Sequence, residues 1–211
     1  MEGADMENKG IAIENSFRKY LETDRQVTRT FKLFDNSNIS FSYNCTRDGG
    51  SSNTWKSDVQ LAQASEHNTI KVIGLSVKTT KGNRASILNF TTMANFDKCE
   101  ARTGISMESA KAVFQYLVSN QKSGVYLSEF SDISEWSDIL KYFMFDGTAT
   151  RNCEYYEKAE YLVDIPVDAV SMEQVVLVPK EQAVEHAWKS FKAELKSNKK
   201  GELGLVIRYA K

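Results

Sequence analysis

The chain has 211 residues, 41% apolar, 26% charged and with two prolines, a composition that excludes a disordered polymer and allows a buried core. Its net charge of −1 excludes a polycation, so any contact with nucleic acid must come from a local patch. Three cysteines without a CxxC spacing point to neither a disulfide framework nor a zinc site. No apolar run approaches a membrane span, and the acidic start MEGADMENKG is unlike a signal peptide. The expectation is one intracellular, cytoplasmic domain over 1–211, with 1–8 a loose tail.

In chain order, 9–21 has the helical spacing, with Ile13, Phe17, Tyr20 and Leu21 on one face. Residues 31–34 and 39–43 read as strands around the turn DNSN. The stretch NCTRDGGSSN reads as a flexible loop carrying Arg47. Period-two alternation over 55–61 predicts a strand with Lys56, Asp58 and Gln60 on one side. Over 70–77 it predicts a second strand, with Ile73, Leu75 and Val77 facing the core and Val72, Gly74, Ser76 and Lys78 opposite. Residues 86–96 are ambiguous between helix and strand.

Helices are expected over 106–118, capped by Ser106, and over 134–145, ended by Gly147. A polar helix is expected over 154–159, strands over 161–165 and 175–178, a helix over 181–195 and a closing strand over 203–209. Tyr155, Tyr156, Tyr142, Phe143 and Phe145 are read as core. His67 and His186 lack metal-ligand spacing, no nucleotide-binding glycine motif is present, and no cysteine has an evident histidine partner.

The hairpin over 54–95 carries the most chemistry. It brings one acid, Asp58, and one lysine, Lys78, onto adjacent strands. Phosphodiester hydrolysis needs a nucleophilic water, neutralisation of phosphoryl charge and help for the leaving oxygen. A carboxylate-held magnesium ion with a nearby lysine supplies these. From His67 to Phe96 there is no acid, but there are Lys71, Lys78, Lys81 and Arg84. Arginine pairs bidentately with guanine and asparagine with adenine, while lysine mostly meets phosphate. Lys81, Asn83, Arg84, Asn89 and Asn95 are therefore candidate DNA contacts, with Arg47, Lys56 and Arg151 as backbone contacts. A plain solvated face is the competing reading.

Ser57-Asp58-Val59 followed by Gly74-Leu75-Ser76-Val77-Lys78-Thr79 resembles the PD-(D/E)xK nuclease superfamily, and within it the type II restriction endonucleases. GIAIENSFRKYL resembles that superfamily's first helix, with Glu14 as the matching acid, and GNRASILNFTTMANF resembles the stretch after the lysine strand. The resemblance covers about the first half of the chain. It implies an α/β fold with a central mixed sheet flanked by helices, and a Mg2+-dependent, sequence-specific restriction enzyme cutting double-stranded DNA as a homodimer. Asp58 and Glu14 would ligate the metal, and Lys78 would orient water or stabilise charge. Ser76 stands where the family usually has an acid, and Ser57 where it has proline. The second carboxylate is thus left between Glu14, Asp97 and Glu100. Two other readings stay open: a catalytically silent DNA-binding protein on the same scaffold, and an unrelated α/β protein in which Asp58 and Lys78 form a structural pair.

Overall fold

The structure is a computed structural model that describes residues 12, 15–48, 56–79, 85–165 and 171–209. The tail, Glu14, Lys81, Asn83 and Arg84 lie outside the described residues, and Lys78 is described through its main chain. The fold is mixed α/β. The chain forms two compact units, Met1–Asn83 with Cys153–Ala183, and Arg84–Asn152 with Val184–Lys211.

The first unit holds a seven-stranded mixed sheet built from β1 (Val27–Leu33), β2 (Asn38–Tyr43), β3 (Cys45–Asp48), β4 (Val59–Ala64), β5 (Thr69–Thr79), β8 (Tyr161–Ile165) and β9 (Val176–Pro179). The spatial order is β2-β1-β9-β8-β5-β4-β3. β1 and β9 pair in parallel, as do β5 and β8, and the other neighbours are antiparallel. The DNSN turn forms because Asn36 takes the left-handed conformation at φ 68° and the Asp35 carboxylate accepts the Ser37 N–H at 2.9 Å. Across the β1–β2 ribbon, Thr28 meets Ser42 and Thr30 meets Ser40, each hydroxyl pair at 2.8 Å.

One face of this sheet is apolar. Val59 and Leu61 of β4, Ile73, Leu75 and Val77 of β5, Val163 and Ile165 of β8, and Leu177 of β9 form a single cluster. The helix over 15–21, α1, closes it with Phe17 and Leu21, both fully buried. The alternation seen in the sequence therefore sets the core as expected, with Gly74 and Ser76 on the far face.

The second unit carries an antiparallel sheet of β6 (Ala85–Thr91), β7 (Gly124–Tyr126), β10 (Phe191–Ser197) and β11 (Leu203–Tyr209), in the order β6-β11-β10-β7. With it come α2 (Met93–Thr103), α3 (Glu108–Ser119), α4 (Leu127–Phe130) and α5 (Ser137–Lys141), and α6 (Lys180–Ala187) leads into it from the first unit. The ambiguous stretch 86–96 divides at Thr92: strand before it, helix after. Tyr142, Phe143 and Phe145 are core, wound into a wide π-helical turn over Tyr142–Asp146 that continues α5.

The helix expected over 181–195 stops at Ala187, and Phe191–Ser197 is a strand. Its main chain pairs on both sides, with β11 and β7, and Phe191 and Ala193 are fully buried; two ladders outweigh local helical spacing. The segment over 154–159 makes only the 3-10 turn Tyr155–Glu157. Tyr155 and Tyr156 are not core, being 72% and 50% exposed.

Candidate active site at the start of β4

Asp58 lies just ahead of β4, which begins at Val59 rather than at Trp55. The chain leaves the sheet at this point for a clear reason. The Lys56 and Ser57 N–H groups both donate to the Glu157 carbonyl, at 2.9 and 3.1 Å, and so turn away from β5. The Asp58 N–H still donates to the Leu75 carbonyl at 2.7 Å. The Val77 N–H then has no strand carbonyl opposite it, and the Asp58 carboxylate takes that place, accepting from it at 2.7 Å. The Ser76 hydroxyl donates to the same oxygen at 3.3 Å. Arg18 of α1 donates to the Asp58 carbonyl at 3.1 Å and fixes the turn from the other side.

The acid is thereby bound to the strand position directly before Lys78. Lys78 itself stands in register with Asp164 of the parallel strand β8, which puts an acidic position beside the lysine position. Neither Arg18 nor Asp164 carries a sequence signal that singles it out; both depend on which strands and helices become neighbours. Ser76 is 2% exposed, so the hydroxyl is an internal part of the arrangement.

Lys71, counted in the sequence as part of a basic patch, is not a surface cation. A bulge between Leu61 and Ala62 shifts the β4–β5 register, which re-aims the side chain onto the face of Gly74. Its ammonium is buried, paired with Glu160 at 2.9 Å and donating to the Lys158 and Tyr155 carbonyls at 2.6 and 3.2 Å. Glu160 in turn accepts the Gly74 N–H at 2.5 Å. A Cβ at Gly74 would run into the Lys158 carbonyl, lie 2.9 Å from Glu160 Oε2 and 3.0 Å from Lys71 Nζ; only glycine leaves room for this ion pair.

Arg47 is exposed on β3, opposite Gln60, in a strand rather than the expected loop. Asn89 is exposed on β6 of the second unit. Asp97 and Glu100 stand on α2, where both grip Lys111 at 2.7 Å, and they hold its ammonium well above the ordinary lysine range, Asp97 foremost. Their carboxylates are thus already engaged by a cation. The cysteines Cys45, Cys99 and Cys153 are free thiols, and burial pushes Cys99 up, away from the thiolate.

Among the described residues no cluster of three His, Cys, Asp or Glu side chains is positioned to hold a metal, and no helix is long and apolar enough to cross a membrane. Magnesium asks less of a protein than such a cluster. It is held by one or two carboxylates, with waters and substrate phosphate completing the shell. Asp58, a hard oxygen donor beside the Ser76 hydroxyl, suits that kind of site.

No family profile and no curated protein matches the chain. Among solved structures it is similar to the restriction endonuclease MspI in complex with its cognate DNA, at 12% identity and a TM-score of 0.43, over 94% of this chain and 76% of that one. The site described above rests on this chain's own geometry.

Proposed function

We propose that the protein is a Mg2+-dependent endonuclease acting on double-stranded DNA, in the manner of a sequence-specific type II restriction enzyme. The observation that carries this reading is the Asp58 carboxylate bonded to the Val77 N–H, one residue from Lys78. It joins the acid and the lysine strand, as the resemblance to the PD-(D/E)xK superfamily requires.

In this reading Asp58 holds the metal, with Glu14 as the second ligand. The bound ion supplies charge neutralisation and a water of lowered pKa. Ser76 orients the Asp58 carboxylate, and Asp164 gives position 78 an acidic neighbour. Lys78 steadies the attacking water or the charge that develops on the phosphoryl oxygens. Arg47, Lys81, Asn83, Arg84 and Asn89 contact DNA. A palindromic target goes with a twofold homodimer, one site per strand, and with a cytoplasmic protein.

Digestion of supercoiled plasmid with Mg2+, against an EDTA control, tests the proposal. Metal-dependent nicking or linearisation by the wild type, lost in Asp58→Asn, is the expected result. Cleavage that Asp58→Asn leaves unchanged contradicts it. Retention of DNA in a gel shift without cutting at any divalent ion would favour the silent DNA-binding protein, a reading to which Ser76 in place of the family's acid lends support.

A further inference from the structure

The turn Tyr155–Glu157 is held from beneath at three consecutive carbonyls. Tyr155 O accepts from Lys71 Nζ at 3.2 Å, Tyr156 O from the Gln60 side-chain amide, and Glu157 O from the Lys56 and Ser57 N–H groups at 2.9 and 3.1 Å. Three of the four donor residues are interior: Gln60 and Ser57 are 1% exposed and Lys71 8%. A capping box closes the turn, with the Glu157 side chain accepting the Glu154 N–H at 2.7 Å. With the carbonyls turned inward, the two tyrosine rings face out, at 72% and 50% exposure. The Lys71 ammonium lies 5.2 Å from the Tyr155 ring centroid and fixes that ring from one side.

A buried lysine and a buried amide are costly to desolvate, and here both hold a turn whose two tyrosines stay exposed while Glu157 is buried. The turn loses little freedom on binding a partner, which favours affinity. Its location sets the partner. The residues hydrogen-bonded to Glu157 are the two that immediately precede Asp58, so the ring pair and the acid belong to one rigid segment. Beneath the turn the Lys71 ammonium is paired with Glu160. Exposed rings offer a flat surface, and a nucleobase stacks on such a surface whatever its sequence.

We propose that Tyr155 and Tyr156 form a stacking platform for unpaired bases of the nucleic acid bound at Asp58. This rests on the functional reading above. A base inside a regular duplex has no free face, so the platform engages DNA opened beside the site.

The test uses the full chain carrying Asp58→Asn, so that nothing is cut, and two fluorescein-labelled probes of one sequence: a fully paired duplex and the same duplex with a single-stranded gap. Adding Tyr155→Ala and Tyr156→Ala is expected to weaken binding of the gapped probe by roughly tenfold or more and of the paired duplex much less. Tyr155→Phe with Tyr156→Phe, which keeps both rings, is expected to bind as the parent does. The alanines alter only exposed side chains, and an unchanged melting temperature verifies the fold. Equal binding of the gapped probe by the alanine variant and its parent overturns the platform and leaves the rings to a protein partner. Failure of the parent to bind either probe overturns the functional reading, and the platform with it. A loss specific to the gapped probe, alongside a wild type that cuts no DNA, keeps the platform and removes only the catalysis.

Discussion

The Asp58 carboxylate accepts the Val77 main-chain N–H at 2.7 Å, so the candidate catalytic acid also completes the hydrogen bonding of β5. The two roles can be separated by substitution. Asp58→Ala strips the Val77 N–H of this acceptor and is expected to cost about 1–3 kcal/mol. Asp58→Asn keeps an acceptor oxygen while removing the charge. It should stay within roughly 1 kcal/mol of the wild type in urea unfolding yet lose metal-dependent cleavage. A stable but active Asp58→Asn protein would contradict the assignment.

Ser76→Asp puts a carboxylate where the resembling family usually has one. The position is 2% exposed and faces Asp58, so without metal two carboxylates would be forced together. A loss of about 2 kcal/mol is expected, or roughly 4–8 °C in melting temperature for a chain of this size. Magnesium should restore more stability to the variant than to the wild type, because a ligand stabilises the state that binds it. Thermal melts with and without Mg2+ check this; an equal response in both proteins would show that position 76 does not face a cation site.

The hairpin was legible in the sequence because strand alternation is a local signal: Val59, Leu61, Ile73, Leu75 and Val77 face the core as read. The strands over 161–165 and 203–209 fall on the expected residues. What escaped depends on neighbours distant in sequence. Phe191 and Leu195 fit a helical face as well as a strand until β11 pairs with them and β7 with the residues between. Lys71 reads as a surface cation until a bulge swings it beneath Glu160. Tyr155 and Tyr156 look like core residues until three inward carbonyls turn them out.

Gly74 predicts a different kind of sensitivity. Its missing Cβ is the space in which Glu160, Lys71 and the Lys158 carbonyl meet. Gly74→Ala is expected to destabilise by roughly 1–3 kcal/mol through overpacking and to loosen the tyrosine turn. Chemical denaturation measures the first effect and limited proteolysis around 154–160 the second. A neutral substitution would mean that the ion pair has room to move.

Tyr43 ties α1 to the sheet. Its hydroxyl donates to the Leu21 carbonyl at 2.9 Å and accepts from Arg29 Nε at 2.8 Å. Burial raises its pKa above the ordinary tyrosine value of 10.0, with Arg29 acting partly against the shift. A folded-state value above the unfolded one gives stability that is complete below about pH 10 and is lost as pH rises through the folded value. Tyr43→Phe should therefore cost about 1–2 kcal/mol at pH 7, and the gap from wild type should narrow above pH 10. Lys111 titrates alike in both proteins and cancels from the difference. Denaturant unfolding from pH 7 to 11 provides the check; a gap that widens with pH would reverse the sign argued here.

The central claim is that Asp58 and the Lys78 strand make one metal-dependent phosphodiester-cleaving site. Incubation of supercoiled plasmid with wild type, Asp58→Asn and Lys78→Met, each with Mg2+ and with EDTA, bears on it most directly. Cutting by the wild type alone, abolished by EDTA, is the predicted result. Cutting by either variant at the wild-type rate, or by the wild type in EDTA, would contradict it.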